Sequence, residues 1–311
     1  MSSDLIAIST SSFGTQGERV LTGSGLQVRR NTLGRKPDGH ELRVLLRGAR
    51  ALIAGTEQLD RAMLEECDEL RLISRCGVGV DNVDLDAAQS LGIKVVTAAG
   101  GVYRSAAELT VSLMLAVARR VCEADRKMRD GDWTKLMGRG LVGAAVGLIG
   151  CGNVGKAVIQ LLSGFGVAVK IYDPVPPEPA FLASSNAAMA SKAELLRTCD
   201  VITVHAAATT TQPVLGRQDF EMAKPGAIII NTARGHLVDH DGLFDALTTG
   251  RVAGAGLDVH VAEPYDGPLS KLDNVVLTPH MGSYEQSSRT AMEVEAAQNV
   301  VDAWATLGGT P

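Results

Sequence analysis

The sequence predicts an α/β protein with two domains, each built on a doubly wound parallel sheet. Short apolar stretches of strand length alternate with helical patterns along the chain, which is typical of parallel strands covered by helices. A length of 311 residues corresponds to about two domains, at ~150 residues each. A glycine-rich turn at residues 150–155 indicates where the second sheet begins.

The apolar stretches are short enough to be strands and too short to span a bilayer. In the second half they are VGLIG, VAVKIYD, DVITVH, AIIIN, GAGLDV and NVVLTPH. In the first hundred residues the predicted strands are Leu5–Ser9, Ala51–Ala54, Leu72–Ser74 and Val95–Thr97, and the predicted helices include Leu59–Glu66 and Asp84–Ser90.

Two long helical patterns set the predicted domain boundaries. Ser105–Val121 is apolar on most faces, as expected for a helix buried between domains or against another subunit. Ser283–Leu307 is helical again. If this last helix packs on the first domain, that domain is discontinuous and comprises residues 1–100 and 283–311. Residues 101–282 then form an inserted second domain.

Composition and charge argue against several classes of partner. The formal net charge is −5 and no basic block stands out, so we expect neither nucleic acid nor a membrane as a partner. The N-terminus, MSSDLIAIST, lacks the regions of a signal peptide. Five cysteines without C-x-x-C spacing favour a reducing cytoplasm over a zinc site or disulfide framework. No metal-ligand spacing occurs, and we expect no metal.

The segment from Val146 to Asp173 predicts a dinucleotide-binding turn. Gly150, Gly152 and Gly155 form a G-x-G-x-x-G motif between a strand and a helix, the context that the motif requires. We expect them to allow, in order, the tight turn, the approach of a pyrophosphate and close helix–strand packing. Asp173 ends the next strand, 18 residues after Gly155. A carboxylate there binds both adenine-ribose hydroxyls and repels a 2′-phosphate, which favours NAD over NADP.

Three polar residues follow strand patterns in the second half. Arg234 follows AIIIN, Glu263 follows GAGLDV, and His280 ends NVVLTPH. Together they supply what reduction of a 2-oxo acid needs. Arginine is a permanently charged bidentate donor for a carboxylate and carbonyl. Histidine donates a proton to the carbonyl oxygen as hydride arrives, and a neighbouring carboxylate favours the imidazolium and orients the ring.

The sequence shares several motifs with the D-isomer-specific 2-hydroxyacid dehydrogenases and resembles them over nearly its whole length. It is most similar to their phosphoglycerate dehydrogenase-like branch. The resemblance implies a flavodoxin-like substrate domain and an inserted Rossmann domain that binds NAD. The motifs are GVGVDNVDLDAA at 77–88, SAAELTVSLMLAVAR at 105–119, GLIGCGNVGKAV at 147–158, INTARGHLVD at 230–239, GAGLDV at 254–259 and LTPHMGS at 277–283.

The same resemblance implies a role for individual residues. The family's catalytic arginine, glutamate and acid–base histidine match Arg234, Glu263 and His280. The family's substrate-carboxylate loop matches Cys76, Gly77, Val78 and Gly79, which would act through backbone N–H groups. The implied cofactor-binding residues are Gly150, Gly152, Asn153, Val154, Gly155, Asp173, Ala206, Thr232, Ala233, Asp258 and Gly282.

The sequence departs from the family where the substrate side chain is chosen. Phosphoglycerate dehydrogenases usually carry an Arg-Ser pair that helps to bind the substrate phosphate, whereas this chain has Ala54-Gly55-Thr56-Glu57. A 3-phosphoglycerate or 3-phosphohydroxypyruvate substrate would therefore need Arg104, Lys135 or Arg139. Lys135 matches a family lysine that reaches a neighbouring subunit's site, and we expect a homodimer. The regulatory domain of longer members is not expected.

Other functions remain compatible with the motifs. A glyoxylate or hydroxypyruvate reductase is one alternative, and phosphite oxidation uses a similar arginine, glutamate and histidine. Formate dehydrogenases pair their histidine with glutamine, so Glu263 argues against that activity. An NAD(H)-sensing protein similar to the family's corepressors is an alternative of another class. We assign no chemistry to His205, and we expect His236, His240 and His260 at the surface or in loops.

Overall fold

The computed structural model describes residues 5–207, 212–304 and 306. The chain divides into two compact units. Residues 1–102 and 283–311 form the first unit, and residues 103–282 form the second. None of the described helices is both long and apolar enough to cross a membrane.

The first unit contains a five-stranded sheet in which every pairing is parallel. Its strands are β1 (Leu5–Ile8), β2 (Gln27–Arg30), β3 (Ala51–Ala54), β4 (Leu72–Cys76) and β5 (Lys94–Ala98), and its first four helices are α1 (Thr15–Gly23), α2 (Gly39–Leu46), α3 (Arg61–Glu65) and α4 (Leu85–Ser90). The spatial order β2-β1-β3-β4-β5 is that of a flavodoxin-like sheet, as predicted.

The second unit contains a seven-stranded parallel sheet. Its helices are α5 (Val102–Ala118), α6 (Val121–Arg129), α7 (Asn153–Leu162), α8 (Pro179–Ser184), α9 (Lys192–Thr198), α10 (Arg217–Met222) and α11 (His240–Thr248). Its strands are β6 (Ala145–Ile149), β7 (Ala168–Tyr172), β8 (Ala187–Met189), β9 (Val201–Val204), β10 (Ala227–Asn231), β11 (Val252–Leu257) and β12 (Val275–Leu277). Short 3₁₀ turns occupy Ser163–Phe165, Gly235–Leu237 and Pro268–Lys271.

The order of this sheet, β12-β11-β10-β9-β6-β7-β8, reverses direction between β6 and β9. This is the strand order of a Rossmann sheet with one added edge strand, so the predicted fold class is confirmed. Ligands of such sheets bind outside the carboxyl ends of the strands, at the point of reversal. The glycine turn at residues 150–155 follows β6 and therefore lies at this point.

The last helix, α12 (Gln286–Trp304), belongs to the core of the first unit. Its buried face, which includes Met292, Ala296 and Val300, packs in one cluster with β1 and β3. The helix was predicted to begin at Ser283, but it begins three residues later. The reason is a cap, since the Glu285 carboxylate accepts the backbone N–H groups of Ser287 and Ser288.

The predicted helix over 105–121 is interrupted before its end. Helix α5 stops at Ala118, and Arg120 adopts a left-handed conformation with φ 54° before α6 begins. The Arg120 guanidinium binds both oxygens of Glu123 at 2.8 Å, which stabilises the break. Upstream of it, Val117 packs against Gly254 of β11, where an added Cβ would lie 2.7 Å from Cγ1 of Val117.

Candidate active site

The three glycines of the turn after β6 meet three different surroundings. Gly150 has φ 94°, and a Cβ there would lie 2.5 Å from the backbone nitrogen of Ala206, so only glycine fits at this position. A Cβ on Gly155 would lie 2.7 Å from the Gly150 carbonyl oxygen. A Cβ on Gly152 would meet no described atom within 4 Å. The open side of the turn is therefore at Gly152, which is also the N-cap of α7.

Asp173 follows β7 and faces the same turn. Its Oδ2 accepts the backbone N–H of Cys151 at 2.7 Å, and its Oδ1 accepts that of Val175 at 2.8 Å. The carboxylate thus joins the glycine turn to the loop after β7, beside the open face at Gly152. Its place fits the predicted contact with an adenine ribose.

Cys151 occupies a variable position of the turn. Its side chain is buried, and burial raises the pKa of the thiol to about 11, against the opposing effect of the Lys156 charge. The thiol is consequently protonated at neutral pH. Cys151 therefore fills space in the turn and is not suited to act as a nucleophile.

His280 and Glu263 form a hydrogen-bonded pair after two neighbouring strands. The Nδ1 atom of His280 lies 2.9 Å from Oε2 and 3.1 Å from Oε1 of Glu263. Burial raises the pKa of the Glu263 carboxyl, but the hydrogen bond and charge of His280 outweigh burial and lower it overall. Glu263 is therefore an anion at neutral pH, as the stabiliser of an imidazolium must be.

The turn that carries His280 is held by Asp258. This buried carboxylate accepts the Thr278 hydroxyl at 2.6 Å and the backbone N–H groups of Met281 and Gly282 at 2.8 and 2.9 Å. His280 itself has φ 53°, which is uncommon for a residue with a Cβ. Several hydrogen bonds thus fix a strained backbone at the proposed acid–base residue, as is frequent at functional sites.

Arg234 lies three residues after β10, the strand next to β11. The buried Asn231 side chain shapes its turn by donating to the Arg234 carbonyl at 2.8 Å and accepting the Ala233 N–H at 3.1 Å. The Arg234 guanidinium donates to the Ala233 carbonyl at 2.7 Å. Sequence reasoning did not select Asn231, although an asparagine that ends an apolar strand before a predicted site residue was a usable signal.

The second unit places the remaining predicted cofactor residues at the same edge of its sheet. Asn153 and Val154 form the first turn of α7, and Ala206 follows β9. The Thr232 hydroxyl lies 2.8 Å from that of Thr110 on α5. The carboxyl ends of β6, β7, β9, β10, β11 and β12 therefore carry all the predicted cofactor and catalytic residues of this unit.

The first unit holds the predicted anion loop after β4. The Gly77 N–H donates to the carbonyls of Arg75 and Ala98 at 2.9 and 3.1 Å, whereas the N–H groups of Val78 and Gly79 have no backbone acceptor among the described residues. The buried Arg75 guanidinium lies under the loop, since a Cβ on Gly77 would be 2.5 Å from its Nη1. Burial raises the pKa of the Cys76 thiol to about 11, so only its backbone is suited to binding.

The basic residues considered for a substrate phosphate are differently placed. Arg139 donates to the Gly226 carbonyl at 2.8 Å, just before β10, and so lies at the amino ends of the strands. Arg104 is exposed and covers the ring of Tyr103 at 5.7 Å. Lys135 is exposed in a segment without helix or strand.

The structure corrects the expected position of one histidine and describes the surroundings of another. His240 was expected at the surface or in a loop, and this is wrong, because it is the first residue of α11 and only 9% exposed. Burial also lowers the pKa of His205 to about 4, and its Nε2 lies 2.9 Å from the Thr203 hydroxyl. His205 is thus neutral near neutral pH beside the end of β9.

A Rossmann sheet that carries this glycine turn, acid and histidine–glutamate pair at one edge defines a nicotinamide-dependent oxidoreductase. Residues 111–282 match the family model described as "D-isomer specific 2-hydroxyacid dehydrogenase, NAD binding domain". The chain belongs to the D-isomer specific 2-hydroxyacid dehydrogenase family. The predicted family, its class of enzyme and its use of NAD are confirmed.

The match to this chain covers different shares of the length of similar proteins. A glyoxylate reductase of Thermococcus litoralis is 37% identical over 257 residues, which are 79% of this chain and 77% of that protein. A D-3-phosphoglycerate dehydrogenase of Archaeoglobus fulgidus is 39% identical over 81% of this chain, but the match spans only 48% of its own length. The crystal structure of the TT0316 protein from Thermus thermophilus superposes with a TM-score of 0.87, at 35% identity, over 99% of this chain and 98% of that chain.

Proposed function

We propose that the protein interconverts a D-2-hydroxy acid and its 2-oxo acid by hydride transfer at C2. The observation that carries the proposal is the His280–Glu263 pair, with 2.9 Å between Nδ1 and Oε2. A carboxylate can only accept, so Nδ1 carries the proton of that bond. The second ring nitrogen, Nε2, is then the atom that exchanges a proton with substrate.

Each residue has a distinct part in the proposed reaction. NAD, when bound, accepts or supplies the hydride, and the open face at Gly152 with Asp173 beside it suits the cofactor. Arg234 binds the substrate carboxylate and polarises the carbonyl as a fixed cation. In reduction, protonated His280 donates to the carbonyl oxygen while Glu263 stabilises the imidazolium. In oxidation, neutral His280 removes the hydroxyl proton.

Of the two candidate substrate classes, we favour an unphosphorylated 2-oxo acid. The side chain of Glu57 in the loop after β3 is 2% exposed and turned inward, where it accepts the Gly55 N–H at 2.8 Å and the Ser9 hydroxyl. This loop therefore contributes a carboxylate to the first unit and no arginine. A small substrate such as glyoxylate or hydroxypyruvate needs no second cation. The phosphorylated alternative, 3-phosphohydroxypyruvate, would need one.

The test is NADH oxidation with glyoxylate, hydroxypyruvate, pyruvate and 3-phosphohydroxypyruvate, with NAD⁺ and phosphite as a separate arm. We expect turnover with one or more unphosphorylated 2-oxo acids. A strong preference for the phosphorylated acid would overturn the substrate class and retain the chemistry. Tight NADH binding without turnover in any arm would overturn the enzyme proposal in favour of a dinucleotide sensor.

We also propose that two copies of the chain assemble into a homodimer. The segment 131–142 has no helix or strand, and Trp133, Met137 and Val142 are 76, 89 and 82% exposed on it. Three large apolar side chains with this exposure within one short segment are unusual at a free surface and typical of an interface. The five cysteines are free thiols, which supports a cytoplasmic location.

A further inference from the structure

Three rings pack together beneath the loop that carries Glu263. The rings of His260 and Tyr265 stack with 4.7 Å between centroids and 20° between planes. His240, at the start of α11, meets both of them edge-on, at 6.4 and 5.7 Å. The two stacked residues lie on either side of Glu263 in the sequence. Their ring contact therefore joins the two ends of the short loop that carries Glu263.

The side chain of His260 also contacts the turn after β12, which carries His280. Its Nε2 lies 3.0 Å from the Thr278 carbonyl oxygen. The backbone N–H of His280 donates to that same oxygen at 3.0 Å. The side chain of His260 therefore joins the loop after β11 to the turn after β12.

The backbone of His260 reaches the other two proposed catalytic residues. Its N–H donates to Oε1 of Glu263 at 3.2 Å. Its carbonyl group lies directly against Gly235, the neighbour of Arg234, where an added Cβ would overlap it. His260 is thus in contact with the chain segments that carry Arg234, Glu263 and His280.

From these contacts we infer that His260 is a positioning residue, which holds the Glu263 loop and the His280 turn in register through its Nε2–H bond to Thr278. The inference rests on the proposed function, because it assigns His260 a part in aligning that acid–base pair. Backbone contacts alone could be made by any residue. The bond to Thr278 requires a side-chain donor, and the stack on Tyr265 requires a flat ring.

The hydrogen bond also fixes the tautomer of His260. A carbonyl oxygen only accepts, so the proton is on Nε2 and the neutral ring has none on Nδ1. Nδ1 is buried and has no hydrogen-bond partner among the described residues. A proton on Nδ1 would be buried without an acceptor among the described residues, so the geometry favours the Nε2–H tautomer over the Nδ1–H tautomer. The Nε2–H tautomer is the one that serves as a fixed link.

Two substitutions separate the donor from the ring. His260→Phe keeps a flat ring against Tyr265 and removes the donor, whereas His260→Gln restores a donor at a similar reach. We expect His260→Phe to lower kcat about tenfold, because small misalignments of reacting groups are costly. The dissociation constant for NADH and the midpoint of unfolding should stay near the wild-type values. His260→Gln should recover most of kcat.

Tyr265→Phe is the matched control, since it keeps the stacked ring and does not touch the link to Thr278. It should leave kcat within about twofold of wild type, below the tenfold effect expected of misalignment. If His260→Phe also stays within twofold, or if His260→Gln is no better than His260→Phe, the positioning role is overturned.

A measurement on the wild-type protein covers the case in which the variants fail to fold. Nitrogen NMR shifts of the imidazole should show the proton of His260 on Nε2, and a proton on Nδ1 would overturn the inference. Failure of the proposed function is distinguishable from both results. In that case the wild-type protein would show no turnover, while the tautomer of His260 would still be as stated.

Discussion

The Nδ1 atom of His280 lies 2.9 Å from Oε2 of Glu263, and these two residues follow adjacent strands of the seven-stranded sheet. Because a carboxylate accepts and does not donate, this contact orients the imidazole. It also separates the roles of the two ring nitrogens, with Nδ1 paired inside the protein and Nε2 left for the reacting oxygen.

Replacement of His280 by Gln should slow the chemical step and spare cofactor binding. Glutamine cannot transfer a proton, and general acid–base catalysis contributes on the order of 10²–10⁴-fold in rate. We expect kcat to fall by that factor, measured by NADH oxidation, with the NADH dissociation constant within about twofold. Turnover that survives nearly intact would refute the assignment. Lost NADH binding with the chemical step preserved would instead indicate a cofactor role.

Replacement of Glu263 by Gln should change the pH dependence of catalysis. The anion stabilises protonated His280, and reduction needs that proton. Without the charge, the alkaline decline of the reduction rate and the acid decline of the oxidation rate should both move to lower pH, because the same ionisation governs both. The measurement is kcat against pH in both directions. An unchanged alkaline limb would mean that the pair has no electrostatic role.

Gly152 and Gly155 provide a matched pair of substitutions. A Cβ on Gly155 would collide with the Gly150 carbonyl, so Gly155→Ala should lower the free energy of unfolding by about 1–3 kcal/mol. A Cβ on Gly152 would meet no described atom within 4 Å, so Gly152→Ala should unfold like wild type. It should nevertheless weaken NADH binding, because the methyl group points to the proposed pyrophosphate position. Wild-type affinity in Gly152→Ala would move the phosphate elsewhere.

His205 should make the free energy of unfolding depend on pH in the acid range. Burial lowers its pKa from 6.5 to about 4, so between these values the unfolded chain binds a proton that the folded chain does not. Stability is therefore unaffected by this group above pH 6.5 and falls as the pH drops towards 4. Chemical denaturation of His205→Gln across this window should show a flatter decline than wild type. Identical slopes would exclude this origin.

The segment 131–142, with its exposed apolar side chains, should determine whether the homodimer forms. Trp133→Ser combined with Met137→Ser should raise the dissociation constant of the dimer about tenfold or more, because buried aromatic anchors dominate interface energies. Sedimentation velocity across a dilution series measures this. Val175, which is 77% exposed elsewhere in the same unit, is the control, and Val175→Ser should leave the dimer unchanged. A wild-type chain that is monomeric at all concentrations would contradict the proposal.

The sequence was sufficient for elements with strong local patterns. Ala51–Ala54 is a strand with the predicted bounds, because four apolar residues lie between clear breakers and are fully buried. The helix predicted over Asp84–Ser90 forms from Leu85, with Asp84 as its N-cap. The three glycine environments also agree with the motif, since each is set by local backbone geometry.

Other features depend on contacts between residues that are distant in the chain. No local pattern predicts the break after Ala118, which is stabilised by the Arg120–Glu123 pair. The polar edge strand Gln27–Arg30 lacks the apolar run by which the other strands were identified. The burial of His240 follows from packing against rings twenty or more residues away, and an isolated histidine in a sequence gives no sign of it.

The burial of the Cys151 thiol has a consequence for its reactivity towards oxidants. A thiol with a pKa of about 11 is ionised to only on the order of one part in 10⁴ at neutral pH, and peroxides and alkylating agents attack the thiolate. The cysteine in the glycine turn should therefore resist sulfenylation. The glycine turn of this NAD-dependent oxidoreductase should therefore stay unmodified when peroxides are present.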